Sequence, residues 1–165
     1  MALSRSEIST NLSDAAIQAA RCQLLQDNNI NPHTGLATDY LNHFNEAIML
    51  LEMIPDMPEC AEDFLNWRPL TYREHFEASR LKAKDLMILA YEQAEAALKN
   101  EFDRVVGSMR TILTAVSEAM RTRPDAVRIR LALEAIGWLQ PLLAMASALI
   151  HGGADRTDID RIMDS

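Results

Sequence analysis

The feature that most constrains this fold is the apolar run Ala132–Ile150, whose single charge is Glu134. Pro124 stands ahead of the run and Gly152 follows it. Proline is favoured in the first turn of a helix, and glycine just past the end. The pattern therefore predicts one long helix over 124–151.

A run of this length can cross a bilayer, and arginines precede it as they would on the cytoplasmic side. Its alanines, Glu134, Gln140 and Pro141 lower its hydropathy below that of a typical membrane span. We therefore favour a buried helix at the centre of a bundle or at an oligomer interface, with membrane contact as the alternative. Pro141 is expected to kink the helix, and Trp138 to be a core residue.

The composition favours helix over sheet throughout the chain. Its 165 residues contain only 5 Gly and 6 Pro, and the 48% of hydrophobic residues is ordinary for a globular protein. This length predicts a single domain over 1–165. We expect an all-α fold, a four- or five-helix up-and-down bundle around the apolar C-terminal helix. Residues 1–12 are expected to be flexible, and 154–165 a short terminal helix or tail.

The charge and the cysteines limit the possible partners and compartments. A formal net charge of −8 makes this an acidic protein, which argues against binding to nucleic acid or to anionic membranes. Cys22 and Cys60 are far apart and form no CxxC motif, a pattern that suits a reducing compartment. The N-terminal sequence lacks the apolar core of a signal peptide. We therefore predict a cytoplasmic location.

The first two helices have recognisable ends. The first is predicted from Ser13 or Asp14 to Asp27, with Asn28 and Asn29 closing it. The second is predicted over 38–54, ending before a proline. One stripe of this helix should face the core, namely Leu41, Phe44, Ile48 and Leu51.

The middle of the chain has one strong helix-start signal. Residues 55–71 form a proline-bounded insert with one short helix over 58–67. Thr71 and Glu74 have the spacing of a capping box, which starts a third helix at residue 72. Since about fifty continuous helical residues would extend about 75 Å, we predict a break near Lys99-Asn100. This gives helices over 72–98 and 101–122.

Two histidines among carboxylates are the residues most capable of chemistry. Asp39, His43 and Glu46 lie one turn apart on the second helix, and His75 and Glu77 lie on the third. Imidazole and carboxylate ligands together suit zinc, iron or manganese. The candidate metal site therefore comprises all five residues.

A structural role is the competing interpretation of these histidines. His43 can pair with Asp39 on a solvated helix face, an interaction worth about 0.2–0.5 kcal/mol that needs no function. His43 also lies off the core stripe, so we do not expect it to face His75. Histidine phosphotransfer domains carry Lys and Gly at the third and fourth positions after their histidine, where this chain has Ala78 and Ser79. The P-loop, GxGxxG, GxSxG and HExxH motifs are absent as well.

The sequence therefore favours a non-enzymatic helical interaction or regulatory protein over an enzyme. Helices with two apolar sides suggest a homo-oligomer, most simply a twofold dimer, with a protein partner also possible. The acidic insert 56–63 and the helix 72–98 are the predicted presenting surfaces. The alternative function is a metal-binding helical bundle that uses His43, Glu46 and His75, with Asp39 and Glu77 beside them.

Overall fold

The computed structural model of the chain describes residues 4–153, and of residues 6–12 only the backbone. The described residues form seven α-helices, so the all-α prediction is confirmed and the helix count exceeds the predicted four or five. Two 3₁₀ turns, Thr38–Tyr40 and Pro58–Cys60, lead into the second and third helices. The predicted terminal segment 154–165 lies outside the described residues. The helices are α1 (Arg5–Asp27), α2 (Leu41–Met53), α3 (Ala61–Asn66), α4 (Tyr72–Ala78), α5 (Lys84–Glu92), α6 (Ala96–Met120) and α7 (Asp125–Ile150).

The two longest helices, α6 and α7, form a helical hairpin that carries much of the core. They are joined by the short connection 121–124 and pack against each other more extensively than any other pair of described elements. Arg128 fixes the turn, because its guanidinium donates to the backbone carbonyls of Met120 and Arg121 at 2.8 and 3.0 Å. These carbonyls lie at the end of α6, where a cation is favourable. Helix α2 packs on α7 as well.

The predicted core stripe of α2 is confirmed. All four of its residues are buried, and Ala47 and His43 on a neighbouring face are buried with them. The helix is therefore covered on more than one flank, by α7, α3 and the turn before it. Because α2 is covered on this second flank, the His43 imidazole is buried.

The chain between Thr71 and Met120 divides at other places than predicted. The capping box is confirmed: Thr71 Oγ1 accepts from the Glu74 amide at 3.2 Å, and Glu74 Oε1 accepts from the Thr71 amide at 2.8 Å. The predicted break near Lys99-Asn100 is wrong, since α6 runs through it. Instead the chain leaves the helix at 79–83 and 93–95.

Helix α1 is longer than predicted and packs little against the other described helices. It begins at Arg5 rather than at Ser13 or Asp14, so helix covers much of the segment that was expected to be flexible. No other helix packs extensively along α1 in the described part of the chain. Among its described side chains only Leu25 is buried.

The end of α1 is fixed by a Schellman motif. Asn29 has a positive φ of 59°, the Ile30 amide donates to the Leu25 carbonyl at 2.9 Å, and the Asn29 amide donates to Gln26 at 3.0 Å. Leu25 and Ile30 make the buried apolar contact that accompanies such a motif. The prediction that Asn28 and Asn29 end the helix is confirmed.

Helix α7 is buried on one side only. It begins at Asp125, with Pro124 as its N-cap residue, and continues through Pro141 to Ile150. By length and composition it could cross a bilayer, and 39% of its most apolar stretch is buried within the chain. Trp138 is 51% exposed, so the prediction that it is a core residue is wrong.

Candidate functional site

His43 is a buried residue that binds the backbone of a distant loop. Its side chain is on α2, the residue is 7% exposed, and Nε2 accepts a hydrogen bond from the Leu70 amide at 2.8 Å. Because the Nε2 lone pair is used, the neutral ring carries its proton on Nδ1. Burial first, and then the electrostatic interactions with His75 and Arg110, lower the pKa of His43 to about 4. The ring is therefore neutral at pH 7.

Two tyrosines complete this attachment of loops to the helical core. The buried Tyr40 hydroxyl donates to the Leu70 carbonyl at 2.7 Å and accepts from Arg110 at 3.1 Å. The Tyr72 hydroxyl accepts from the Ala37 amide at 2.9 Å. Burial raises the pKa of both tyrosines. The amide and the carbonyl of Leu70 are thus both held by side chains from the region that begins α2.

His75 pairs with Asp39, the carboxylate that the sequence assigned to His43. Its Nε2 lies 3.0 Å from Asp39 Oδ2, on partly exposed side chains. The expected solvated pair of His43 with Asp39 is therefore wrong. The expectation that the two histidines do not face each other is also wrong, because their ring centroids are 5.8 Å apart.

The structure brings three of the five predicted metal ligands to one small cavity. His43, Glu46 and His75 line a space of about 280 Å³. Within residues 4–153, however, no group of three or more His, Cys, Asp or Glu side chains is placed to hold a metal ion. The lone pair of His43 Nε2 is already engaged by a backbone amide. Glu77 forms an exposed ion pair with Arg73 instead.

Aromatic stacking adds to the structural character of this region. Trp67 stacks on His43 with centroids 4.5 Å apart, and Tyr72 stacks on Tyr91 at 4.4 Å. The Tyr91 hydroxyl donates to Asp103 at 2.5 Å, and burial together with this carboxylate raises the Tyr91 pKa. We call Tyr40, His43, Tyr72 and His75 the His/Tyr cluster. Three of its four side chains bond to backbone atoms of other segments.

A second concave region lies between α6 and α7 and has a different character. It is an open groove of about 1240 Å³, with Pro69 and Thr71 from the loop before α4 at its wall. We call it the α6/α7 groove. Its lining is mostly small or uncharged, and includes Gly107, Ser108, Thr111 and Ala115 from α6 and Gly137, Trp138 and Pro141 from α7.

Two glycines within long helices line this groove. A glycine in a helix interior costs about 1 kcal/mol relative to alanine. At Gly137 an added Cβ would meet no atom within 4 Å, and at Gly107 it would meet only the Arg110 guanidinium, at 3.7 Å. Packing within the chain therefore does not require a glycine at either position, and both leave open space above the helix backbone.

One side of α7 exposes large apolar residues beside the groove. Leu133 is 56% exposed and Trp138 is 51% exposed. Gly137, Pro141 and Ala144 lie on the same side at helical spacing and are also exposed. Arg130 and Glu134 are exposed on this side as well. A single charge within the apolar run was too little to mark its outer surface in the sequence.

Comparisons of the chain with protein-family models, with curated proteins and with solved structures found no match.

Proposed function

We propose that this chain is a non-enzymatic helical interaction protein that self-associates, and that the α6/α7 groove is its binding surface. The observation that carries the proposal is the exposure of Leu133 and Trp138 beside an open groove on the longest helix. Contiguous exposed apolar surface marks interaction sites, and tryptophan is enriched among the residues that dominate binding energy.

The His/Tyr cluster supports binding rather than catalysis. His43 and Tyr40 are bonded to Leu70, and Tyr72 to Ala37, so these polar groups already have protein partners. We therefore propose the α6/α7 groove as the binding surface, while 56–63 and 72–98 stay predicted presenting surfaces. The net charge of −8 supports a protein partner over nucleic acid, in a cytoplasmic protein.

The same proposal includes the arrangement of the helices as a bundle around α7. Helix α7 packs on both α2 and α6, which supports a bundle with α7 at its centre. With its outer side uncovered, the bundle is completed when a second molecule covers the groove. A twofold dimer is the simplest assembly that does this.

A metal-binding function is the second candidate, because His43, Glu46 and His75 line one cavity. Zinc, iron or manganese would have to displace the Leu70 amide from His43 Nε2, or use His75 and Glu46 without it. Elemental analysis of protein purified without a histidine tag tests this candidate. A stoichiometric content of any of the three metals, lost in His75→Ala, would support it against our proposal.

The interaction proposal is tested by measuring molar mass with light scattering across micromolar concentrations. We expect a dimer, and in Trp138→Glu a dissociation constant raised at least about thirtyfold, since a central aromatic contributes about 2 kcal/mol or more. Met49→Glu is the matched control, because Met49 is equally exposed, at 53%, but lies on α2. A strictly monomeric wild type, or equal masses for Trp138→Glu and wild type, would contradict the proposal.

A further inference from the structure

We propose that α1 of one molecule docks in the α6/α7 groove of a second molecule, and that the two molecules exchange these helices about a twofold axis. The inference rests on the proposed self-association and names the segment that occupies the groove. Four observations carry it: an uncovered apolar stripe on α1, the anchoring of α1 at one end, the shape of the groove and the area that a dimer needs.

The uncovered stripe of α1 consists of Ile17, Ala20 and Leu24. Their spacing of three and then four residues places them side by side along one face of the helix. Ile17 is 63% exposed and Leu24 is 51% exposed. Helices in proteins gain most of their stability from packing an apolar face, and an isolated helix is marginal in water. Helix α1 therefore needs a surface to pack on.

Residues 28–153 of its own molecule do not supply that surface. The Schellman motif fixes the direction in which α1 leaves the fold, and Leu25 and Ile30 anchor only its last turn. Along the rest of its described length no helix of the same chain packs extensively against it. In our proposal, a second molecule supplies the surface that covers Ile17 and Leu24.

The groove has the shape that an incoming helix requires. Gly107 and Gly137 leave space directly above the backbones of α6 and α7, although packing within the chain does not require glycine there. The distance between two packed helix axes depends on the side chains at their contact, so small residues allow the closest approach. Trp138 and Leu133 then stand beside the docked helix, where they can pack against Ile17 and Leu24.

The area decides between one docked helix and two. A helix about 10 Å wide and about 30 Å long covers about 300 Å² of a facing surface, so one α1 buries about 600 Å² counting both surfaces. Specific interfaces need at least about 1,000 Å² in total. One docked helix falls short, whereas two exchanged helices bury about 1,200 Å². Reciprocal exchange, which a twofold axis provides, meets the requirement.

The test compares an α1 variant, Ile17→Glu with Leu24→Glu, with a groove variant, Gly137→Leu with Trp138→Glu, both in the full chain. Circular dichroism confirms that each is folded. We expect each variant alone to be monomeric at concentrations where the wild type is dimeric. In a mixture, only the intact α1 of the groove variant and the intact groove of the α1 variant can dock. We therefore expect a heterodimer that is much weaker than the wild-type dimer but tighter than the dimer of either variant alone.

Chemical crosslinking tests the contact directly. In a background with Cys22→Ser and Cys60→Ser, one chain carries Ala20→Cys and the other carries Thr111→Cys in the groove. A short bis-maleimide should join the two chains into a heterodimer. The matched control replaces Thr111→Cys by Met49→Cys on α2, and should give at least about tenfold less crosslinked product.

The outcomes separate this inference from the proposed function. If the groove variant is monomeric while the α1 variant stays dimeric, the groove is the interface, α1 does not occupy it, and only the inference is overturned. If the α1 variant is monomeric and the groove variant dimeric, α1 pairs with its own copy and both proposals are overturned. If the wild type is monomeric and floats with anionic or neutral lipid vesicles, α7 binds lipid and both proposals are again overturned.

Discussion

The His/Tyr cluster and the α6/α7 groove differ in how far their side chains are already used. In the cluster, Tyr40, His43 and Tyr72 hold the backbone of loops that precede or follow them in the chain. At the groove, Trp138 in its lining and Leu133 beside it are about half exposed. The histidines and tyrosines of the cluster thus already have hydrogen-bond partners within the fold, whereas the side chains at the groove are exposed. The proposed binding surface is thus distinguished by the exposure of its side chains rather than by their residue type.

The largest expected effect that tests the cluster is a loss of stability in acid. His43 has a pKa of about 4 in the folded chain, against 6.5 for an ordinary histidine. Its contribution to stability is therefore complete above about pH 6.5 and is lost as the pH falls towards about 4. Between about pH 7.5 and about pH 4.5 we expect the free energy of unfolding to fall by about 2 kcal/mol through this residue.

Urea unfolding of the wild type and of His43→Gln across this pH range measures the effect. Glutamine can still accept a hydrogen bond from the Leu70 amide but does not titrate, so carboxylate titration contributes equally to both chains. The acid-dependent loss should be smaller by about 2 kcal/mol in the glutamine variant. Equal losses in the two chains would mean that His43 is not held neutral by burial.

The next effect isolates the hydrogen bond itself. His43→Leu removes the acceptor and leaves the Leu70 amide without its partner, which should cost about 1–2 kcal/mol more than His43→Gln in urea unfolding at about pH 7.5. The Trp67 ring stacks on His43 and loses that contact in both variants, so the comparison excludes it. If the leucine variant is as stable as the glutamine variant, the hydrogen bond from the Leu70 amide to His43 does not stabilise the fold.

A smaller effect tests the groove: one substitution should stabilise the monomer and weaken the dimer. Gly137→Ala should raise the free energy of unfolding of the dilute, monomeric chain by about 0.5–1 kcal/mol, because alanine favours helix and its Cβ meets no atom. The same methyl group should weaken dimerisation about tenfold by obstructing the docked helix. Urea unfolding and molar-mass measurements on one preparation give the change in stability and the change in dimerisation. A variant that is more stable and dimerises as well as the wild type would exclude close helix contact at Gly137.

The smallest effect is expected from metal. Because the lone pair of His43 Nε2 is engaged by the Leu70 amide, zinc or manganese added at micromolar concentration should leave the melting temperature unchanged. Differential scanning fluorimetry with and without a chelator measures this, with His75→Ala as the control chain. A rise of several degrees that disappears in His75→Ala would turn the cluster from a structural site into a metal site.

Several features were predictable because they depend on residues close together in the chain. The capping box at Thr71 and Glu74, the end of α1 at Asn28 and Asn29, and the start of α7 after Pro124 all follow from contacts within a few residues. The core stripe of α2 follows from helical periodicity. Local hydrogen bonding and periodicity act the same way in any fold, so sequence alone reveals them.

Most errors in the prediction concern contacts between distant residues. The helix predicted over 72–98 divides at 79–83 and 93–95, where no glycine or proline marks a break. The division lets α4 pack on α5, with Tyr72 stacked on Tyr91, and Tyr91 in turn bonds Asp103 of α6. His43 binds Leu70 rather than Asp39 because the fold brings the loop before α4 to α2. Such pairings depend on how separate helices meet.

The sequence by itself therefore determined the all-α class, several helix ends, the buried stripe of α2 and the presence of two histidines among carboxylates. Only the tertiary structure decided that these histidines share one cavity with His43 turned to the backbone of Leu70, and that one side of α7 stays uncovered. The physical reason is the same in both cases. Residue type limits what a side chain can bond to, whereas packing decides which partners come within reach and which surfaces remain for another molecule.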